Sequence, residues 1–213
     1  MRTHARRIST AVMARRHEPA DSLDYFPTPP WATRAFCEYV MPVLCDTCAR
    51  SGIALDPACG EGHMALALAE YFDKVLAADI HDYGFGVVQD FLADNQPQHL
   101  READWIITNP PFNLATEFVL TALQRAKWGV AVLVRSQFVE GKDRYRRLFA
   151  DFPPHLIAQY AERVPMHRNR WVINGTTATS YQWLCWLTRS PSWTHSPRAG
   201  TRLIWIPPCR THL

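Results

Sequence analysis

Short apolar runs with abrupt polar stops dominate the chain from residue 53 onward. Ile53 to Leu55 halts at Asp56-Pro57, and Gly60 and Gly62 separate it from the helix-forming stretch Met64 to Tyr71, so the pattern predicts strand, tight turn, helix. Further strands are predicted over Val75 to Asp79, Gly86 to Val88 and Trp105 to Thr108, the last ended by Asn109-Pro110-Pro111. A helix is expected from Ala115 to Ala126. Val130 to Val134 is apolar at every position, the pattern of a strand covered on both faces. Lys142 to Phe149 then reads as a helix, and His155 to Tyr160 and Ser180 to Leu187 read as strands. Thr188 to Thr201 is a polar loop rich in Pro and Ser, after which Arg202 to Ile206 fits a returning last strand. Upstream, Phe26-Pro27-Thr28-Pro29-Pro30 must be extended, because each proline fixes its own φ and keeps the residue before it out of the helical region. A helix can begin at Trp31, with Ala35, Phe36, Tyr39 and Val40 on its apolar face. Strands alternating with helices mean an α/β sheet, mostly parallel.

The 213 residues suit one domain with a sizeable core. Residues 1–20 lack periodicity and carry Arg2, Arg6, Arg7, Arg15 and Arg16, which predicts a flexible basic arm ahead of a single domain over residues 21–213. No apolar segment follows that basic start as a secretory signal requires, and no run approaches the roughly 18 residues of a membrane span. The six cysteines are scattered through a chain that is 47% hydrophobic, so they read as reduced thiols in a cytoplasm rather than a disulfide framework. Cys45 and Cys48 form a lone CxxC without a second ligand pair, and no metal is expected. The net charge is only +3, yet cations cluster in the arm, over Lys142 to Arg147 and over Arg163 to Arg170. Such patches suit a polyanionic partner, and equally the solvated faces of helices and loops.

Three constellations carry candidate chemistry. The turn Asp56-Pro57-Ala58-Cys59-Gly60-Glu61-Gly62 follows the first strand, where glycines permit close backbone approach to a ligand and helix amides favour an anion. It matches neither a dinucleotide fingerprint nor a P-loop. An acid at that strand end suits an ammonium, which S-adenosylmethionine presents beside its carboxylate. Asp79, with Ile80 next to it, ends the second strand where nucleotide-binding sheets place an acceptor for ribose hydroxyls; Asp82 is a competitor, and a surface turn is the plain alternative. Asn109-Pro110-Pro111-Phe112 follows the fourth strand. There the prolines stiffen the backbone, the Asn109 side chain and the Pro110 carbonyl can accept hydrogens from one amino group, and Phe112 offers a flat face to a ring.

Taken together, these motifs resemble the amino-methylating S-adenosylmethionine-dependent methyltransferases, in particular the adenine-specific DNA enzymes and their small phage- and prophage-borne members. The resemblance covers most of residues 24–187, with a Phe-Pro-Thr-Pro stretch, an Asp-Pro-x-x-Gly-x-Gly turn and an Asn-Pro-Pro-Phe turn in the family's order. It implies a Rossmann-like, doubly wound, mostly parallel seven-stranded sheet with helices on both faces, the class I methyltransferase fold. It also implies that Phe26, Pro27 and Thr28 join Asp56, Pro57, Ala58, Cys59, Gly60 and Gly62 around the methionine part of the cofactor. Asp79 would lie at its ribose and Asp90 and Phe91 at its adenine, with Ile80 also among the cofactor-binding residues, while Asn109 to Phe112 would hold the target base. Many relatives carry Tyr where Phe112 stands, which keeps stacking and removes a hydroxyl. The implied reaction is transfer of a methyl group to the exocyclic amine of adenine in DNA, flipped out or single-stranded. The same turn also serves enzymes acting on RNA bases or on a glutamine amide, and an inactive nucleic-acid-binding module is the alternative outside catalysis. No separate target-recognition domain is expected. Arg163, Arg168, Arg170 and Trp171 are therefore candidate nucleic-acid contacts, with a folded-back structural loop as the equal alternative.

Overall fold

Strands β1 (Ile53–Asp56), β2 (Lys74–Asp79), β3 (Val87–Val88), β4 (Trp105–Thr108), β5 (Gly129–Arg135), β6 (Leu156–Tyr160), β7 (Tyr181–Leu187) and β8 (Arg202–Ile206) make one sheet. Their order is β3-β2-β1-β4-β5-β7-β6-β8. The computed structural model describes residues 25–44, 52–168, 175–188 and 200–213. The predicted arm, the Cys45/Cys48 pair and most of the loop from 188 to 201 lie outside these residues.

The α/β reading holds, and the described residues form eight strands where seven were expected. β8 pairs parallel with β6 over Leu156↔Arg202 to Tyr160↔Ile206, covering hydrogen-bonding groups that β6 would otherwise present at an open edge. Among the described residues β7 is the one reversed strand, antiparallel to both β5 and β6. Its apolar run looks like that of a parallel strand because both of its faces are buried.

Side chains alternate across the strands and build two cores. Ala54, Trp105, Ile107, Ala131, Leu133 and Trp183 face one side. There they meet α1 (Pro30–Ala35) and α3 (His63–Leu68), each backed by buried residues such as Phe36 and Leu68. Leu55, Ile106, Val130, Val132, Leu184 and Trp186 face the other side. Here α4 (Ala115–Arg125) buries Ala115, Phe118, Val119, Ala122 and Leu123, a stripe at three- and four-residue spacing. Burying one such large side chain contributes about 1.5–3 kcal/mol.

α1 continues through a π-helical turn, Phe36–Val40, into α2 (Met41–Leu44). Pro42 explains the widening: it has no N–H to donate, and its ring would clash with the carbonyl four residues back in a regular α-helix. The predicted helix at 142–149 is likewise α5 (Lys142–Arg144) followed by a π turn, Tyr145–Phe149. Two 3-10 turns, Gln98–Glu102 and Ser136–Val139, are too short to leave a periodic signal in the sequence.

Candidate active site

β2, β1 and β4 are neighbours and parallel, so the turns after Asp79, Asp56 and Thr108 open at the same edge of the sheet. They enclose a cavity of about 390 Å3. This is the carboxyl edge at which open α/β sheets take ligands, and the volume falls in the range of about 300–1,000 Å3 of small-molecule sites.

Asn109 lines this cavity, and its amide orientation is fixed. Nδ2 donates to the Phe26 carbonyl at 2.9 Å and to Thr28 Oγ1 at 3.1 Å, with Met166 Sδ a weak acceptor at 3.5 Å. Oδ1 is buried and accepts no hydrogen bond among the described residues. A buried carbonyl oxygen without a donor costs about 1–3 kcal/mol, so it is poised to receive a donor rather than being a packing choice. The extended Phe26–Thr28 segment thereby gains a role that proline geometry alone does not reveal: it holds the Asn109 side chain.

Asp56 and Asp79 form the opposite wall. Asp56 is 1% exposed, and burial pushes its carboxyl up to about 7 against the Ala58 amide, which approaches Oδ1 at 3.3 Å and favours the anion. The nearby Asp79 charge raises it further. Asp79 accepts from the Gly60 amide at 2.9 Å and from the His81 amide at 3.0 Å, one on each oxygen. Each oxygen keeps a second lone pair. Two buried acids with no cation paired to either among the described residues make this wall strongly attractive to a positively charged ligand.

The glycine turn departs from its expected use. Gly60 (φ +51°) and Gly62 (φ +85°) adopt left-handed conformations, yet neither lines the cavity. A Cβ on Gly60 would sit 2.2 Å from the Tyr25 ring, and one on Gly62 would sit 2.6 Å from the Phe85 ring. Here the glycines admit two aromatic rings as well as a tight bend. Tyr25 packs on Tyr83 at 4.8 Å and accepts from the Glu61 amide at 3.3 Å; burial pushes its hydroxyl up to about 12, so it stays protonated.

Ile80, Asp90 and Phe91 all line the cavity, as do Pro57, Ala58, Cys59 and Pro111. Phe91 packs against Phe118 at 5.1 Å, and the Arg125 guanidinium lies 5.1 Å over its ring. Asp90 Oδ1 caps its own turn through the Leu92 amide at 2.8 Å. Pro110 and Phe112 do not line the cavity. The Phe112 ring leans on Phe26 at 5.1 Å and Tyr181 at 6.1 Å, under the Arg135 guanidinium. Arg163 and Arg168 are exposed and away from the cavity lining, and Arg170 and Trp171 lie outside the described residues. Sequence reasoning misses Tyr25, His63, Tyr83, Asn113 and Leu114, which also line the cavity, as do Met64, His81, Leu92 and Phe118. Tyr25 and Asn113 flank recognisable motifs, and adjacency is the available signal. Among the described residues no cluster of three metal-ligating side chains occurs, and no helix is long and apolar enough to cross a membrane.

No protein-family model and no curated protein sequence matches the chain. Solved structures do. A protein from Listeria monocytogenes assigned as a class I S-adenosylmethionine-dependent methyltransferase superposes with a TM-score of 0.58 at 14% identity, over 89% of this chain and 68% of that one. A protein from Pyrococcus horikoshii assigned as an RNA methyltransferase gives 0.56 at 15% identity, over 79% and 89%. The methyltransferase subunit of a type I restriction-modification system from Streptococcus thermophilus gives 0.52 at 9% identity, over 76% of this chain and 43% of that one. At such identities the likeness speaks for architecture alone, and the architecture is the class I methyltransferase fold.

Proposed function

We propose that this chain is an S-adenosylmethionine-dependent methyltransferase whose acceptor is the exocyclic amino nitrogen of adenine in DNA. The observation that carries the reading is the buried, donor-less Oδ1 of Asn109 on the wall of the cavity that also holds Asp56 and Asp79. The motif order Phe26–Thr28, Asp56–Gly62, Asn109–Phe112 supports it, as does the fold shared with methyltransferases that include a restriction-modification subunit.

The residues present fit the cofactor. Asp56 would take its ammonium, the free lone pairs of Asp79 its ribose hydroxyls, and Asp90 its exocyclic amine, with Ile80 and Phe91 against its adenine. When bound, the cofactor supplies an electrophilic methyl group on a positively charged sulfur. The chain's own part is positioning. Asn109 Oδ1 accepts a hydrogen from the target amine, turning the nitrogen lone pair out of ring conjugation and toward the cavity. The Phe26 carbonyl and Thr28 keep that oxygen aimed while positive charge grows on the nitrogen. No strong base is required, since the methylated amine sheds its extra proton readily to water. A base within a duplex must leave the stack to reach Asn109.

Incubation with methyl-labelled S-adenosylmethionine and separate pools of DNA, RNA and protein, followed by digestion, tests the proposal. Label is expected in DNA as N6-methyladenine. Label in an RNA nucleoside or a glutamine residue would replace the substrate assignment, and no label in any pool would overturn the enzyme reading.

A further inference from the structure

Arg135 ends β5 with its side chain exposed. Its guanidinium carbon stands 4.1 Å from the centre of the Phe112 ring and 5.8 Å from that of Phe26. These are the two aromatic residues flanking Asn109: Phe112 ends its turn, and Phe26 supplies the carbonyl that holds its amide. Among the described residues Arg135 forms no ion pair. A cation is thus parked on the face of the ring that belongs to the catalytic turn, without a carboxylate to explain its position.

Phe112 also packs against two neighbouring rings. Phe26 approaches at an interplanar angle of 42° and Tyr181 at 34°, both tilted rather than stacked. The Arg135 guanidinium lies over a flat face of the ring, 4.1 Å from its centre. A guanidinium is planar, stacks on aromatic faces and is weakly hydrated, properties that an ammonium lacks. At 4.1 Å there is no room for a third layer, but an exposed arginine side chain moves outward through several freely rotating bonds.

We propose that Arg135 is the second jaw of the acceptor site: the target ring slides between Phe112 and the Arg135 guanidinium and is held by stacking on both faces. The inference rests on the nucleobase reading given above and sharpens it. A ring clamped by a cation on one side and an arene on the other must be flat and electron-rich, as adenine is. A glutamine amide would fill neither face. Arg135 acts on binding of the acceptor and leaves the cofactor's wall, Asp56 and Asp79, untouched.

The test measures steady-state transfer to a single-stranded, adenine-containing oligonucleotide by the full chain, as Arg135, Arg135→Lys and Arg135→Ala. Arg135→Ala is expected to raise KM about tenfold, the scale of one lost base stack, with kcat changed less than threefold and cofactor binding unchanged. Arg135→Lys keeps the charge and loses the plane, so it should recover less than half of that effect on a logarithmic scale. The salt dependence of KM should stay parallel in all three proteins, because stacking rather than phosphate neutralisation is removed. Thermal midpoints within about 2 °C would show that folding is not the cause. A fall in KM on Arg135→Ala would make the guanidinium a competitor for the Phe112 face and overturn the proposal. Full rescue by lysine would make it a phosphate contact and overturn the proposal equally. If the wild-type protein labels only RNA bases, the clamp is tested unchanged on an RNA oligonucleotide. If it labels only protein, both the nucleobase reading and the clamp fall, whereas an active DNA enzyme indifferent to Arg135→Ala sinks the clamp alone.

Discussion

Asp56 offers a prediction that follows chiefly from its burial. Its carboxyl is removed from water at the end of β1, and the charged form is destabilised until its pKa reaches about 7, against 3.8 for the free side chain. The difference of about three pK units is worth about 4 kcal/mol. The sign follows from proton binding. Between about pH 4 and pH 7 the folded chain holds a proton that the unfolded chain has lost, so this group's contribution falls as pH rises through that window and is gone above 7. A cationic ligand reverses the balance by stabilising the anion, and its binding releases the proton. The ionised fraction drops from about one half at pH 7 to about one hundredth at pH 5, so affinity for S-adenosylmethionine should weaken roughly fiftyfold across that range. Titration calorimetry at pH 5, 6 and 7, in buffers of different ionisation enthalpy, measures both the affinity and the protons released. Asp56→Asn is the control: it should bind the cofactor poorly at every pH, lose the pH dependence, and melt at least as high as wild type at pH 8. Equal affinities at pH 5 and pH 7, or binding without proton release at pH 6, would refute the assignment of Asp56 as the cation's partner.

Two further outcomes are expected of the glycine turn and of the contacts that hold the Asn109 side chain. Gly60→Ala should cost about 1–2 kcal/mol for its left-handed backbone, plus the displacement of the Tyr25 ring, lowering the melting midpoint by several degrees. Adding Tyr25→Ala removes the clash, so the double variant should be less destabilised than the sum of the singles, as a thermal double-mutant cycle would show. Thr28→Val deletes one of the acceptors on Asn109 Nδ2 and leaves the Phe26 carbonyl, so kcat should fall about twofold to tenfold at constant cofactor affinity.

Much of this architecture is legible because the strands are short apolar runs between strong breakers. Trp105–Thr108 is bounded by Asp104 and by Asn109-Pro110-Pro111, and Arg202–Ile206 by polar residues and Pro207, so the bounds expected for β4 and β8 match those observed. Strand order and direction are not readable in this way. β7 is buried on both faces, like β5, and nothing in its pattern records that it inserts reversed between β5 and β6. The π turns escape because an apolar stripe at helical spacing does not distinguish one hydrogen-bond register from the next. At the site, motif residues as distant as Phe26 and Asn109, 83 positions apart, meet in one cavity. Tertiary pairings stay hidden in the sequence: the rings of Tyr25 and Phe85 over the glycines, Thr28 on the Asn109 amide, and Arg135 on Phe112.

The central claim is that Asn109 Oδ1 waits for the hydrogen of an amine while the cofactor is held elsewhere on the cavity wall. Asn109→Ala separates the two. Measured by cofactor titration and by single-turnover methyl transfer to DNA, it should leave cofactor affinity within about threefold and slow transfer roughly a hundredfold to a thousandfold, the usual cost of deleting one preorganised polar group. Transfer at the wild-type rate, or loss of cofactor binding in proportion to activity, would contradict the account.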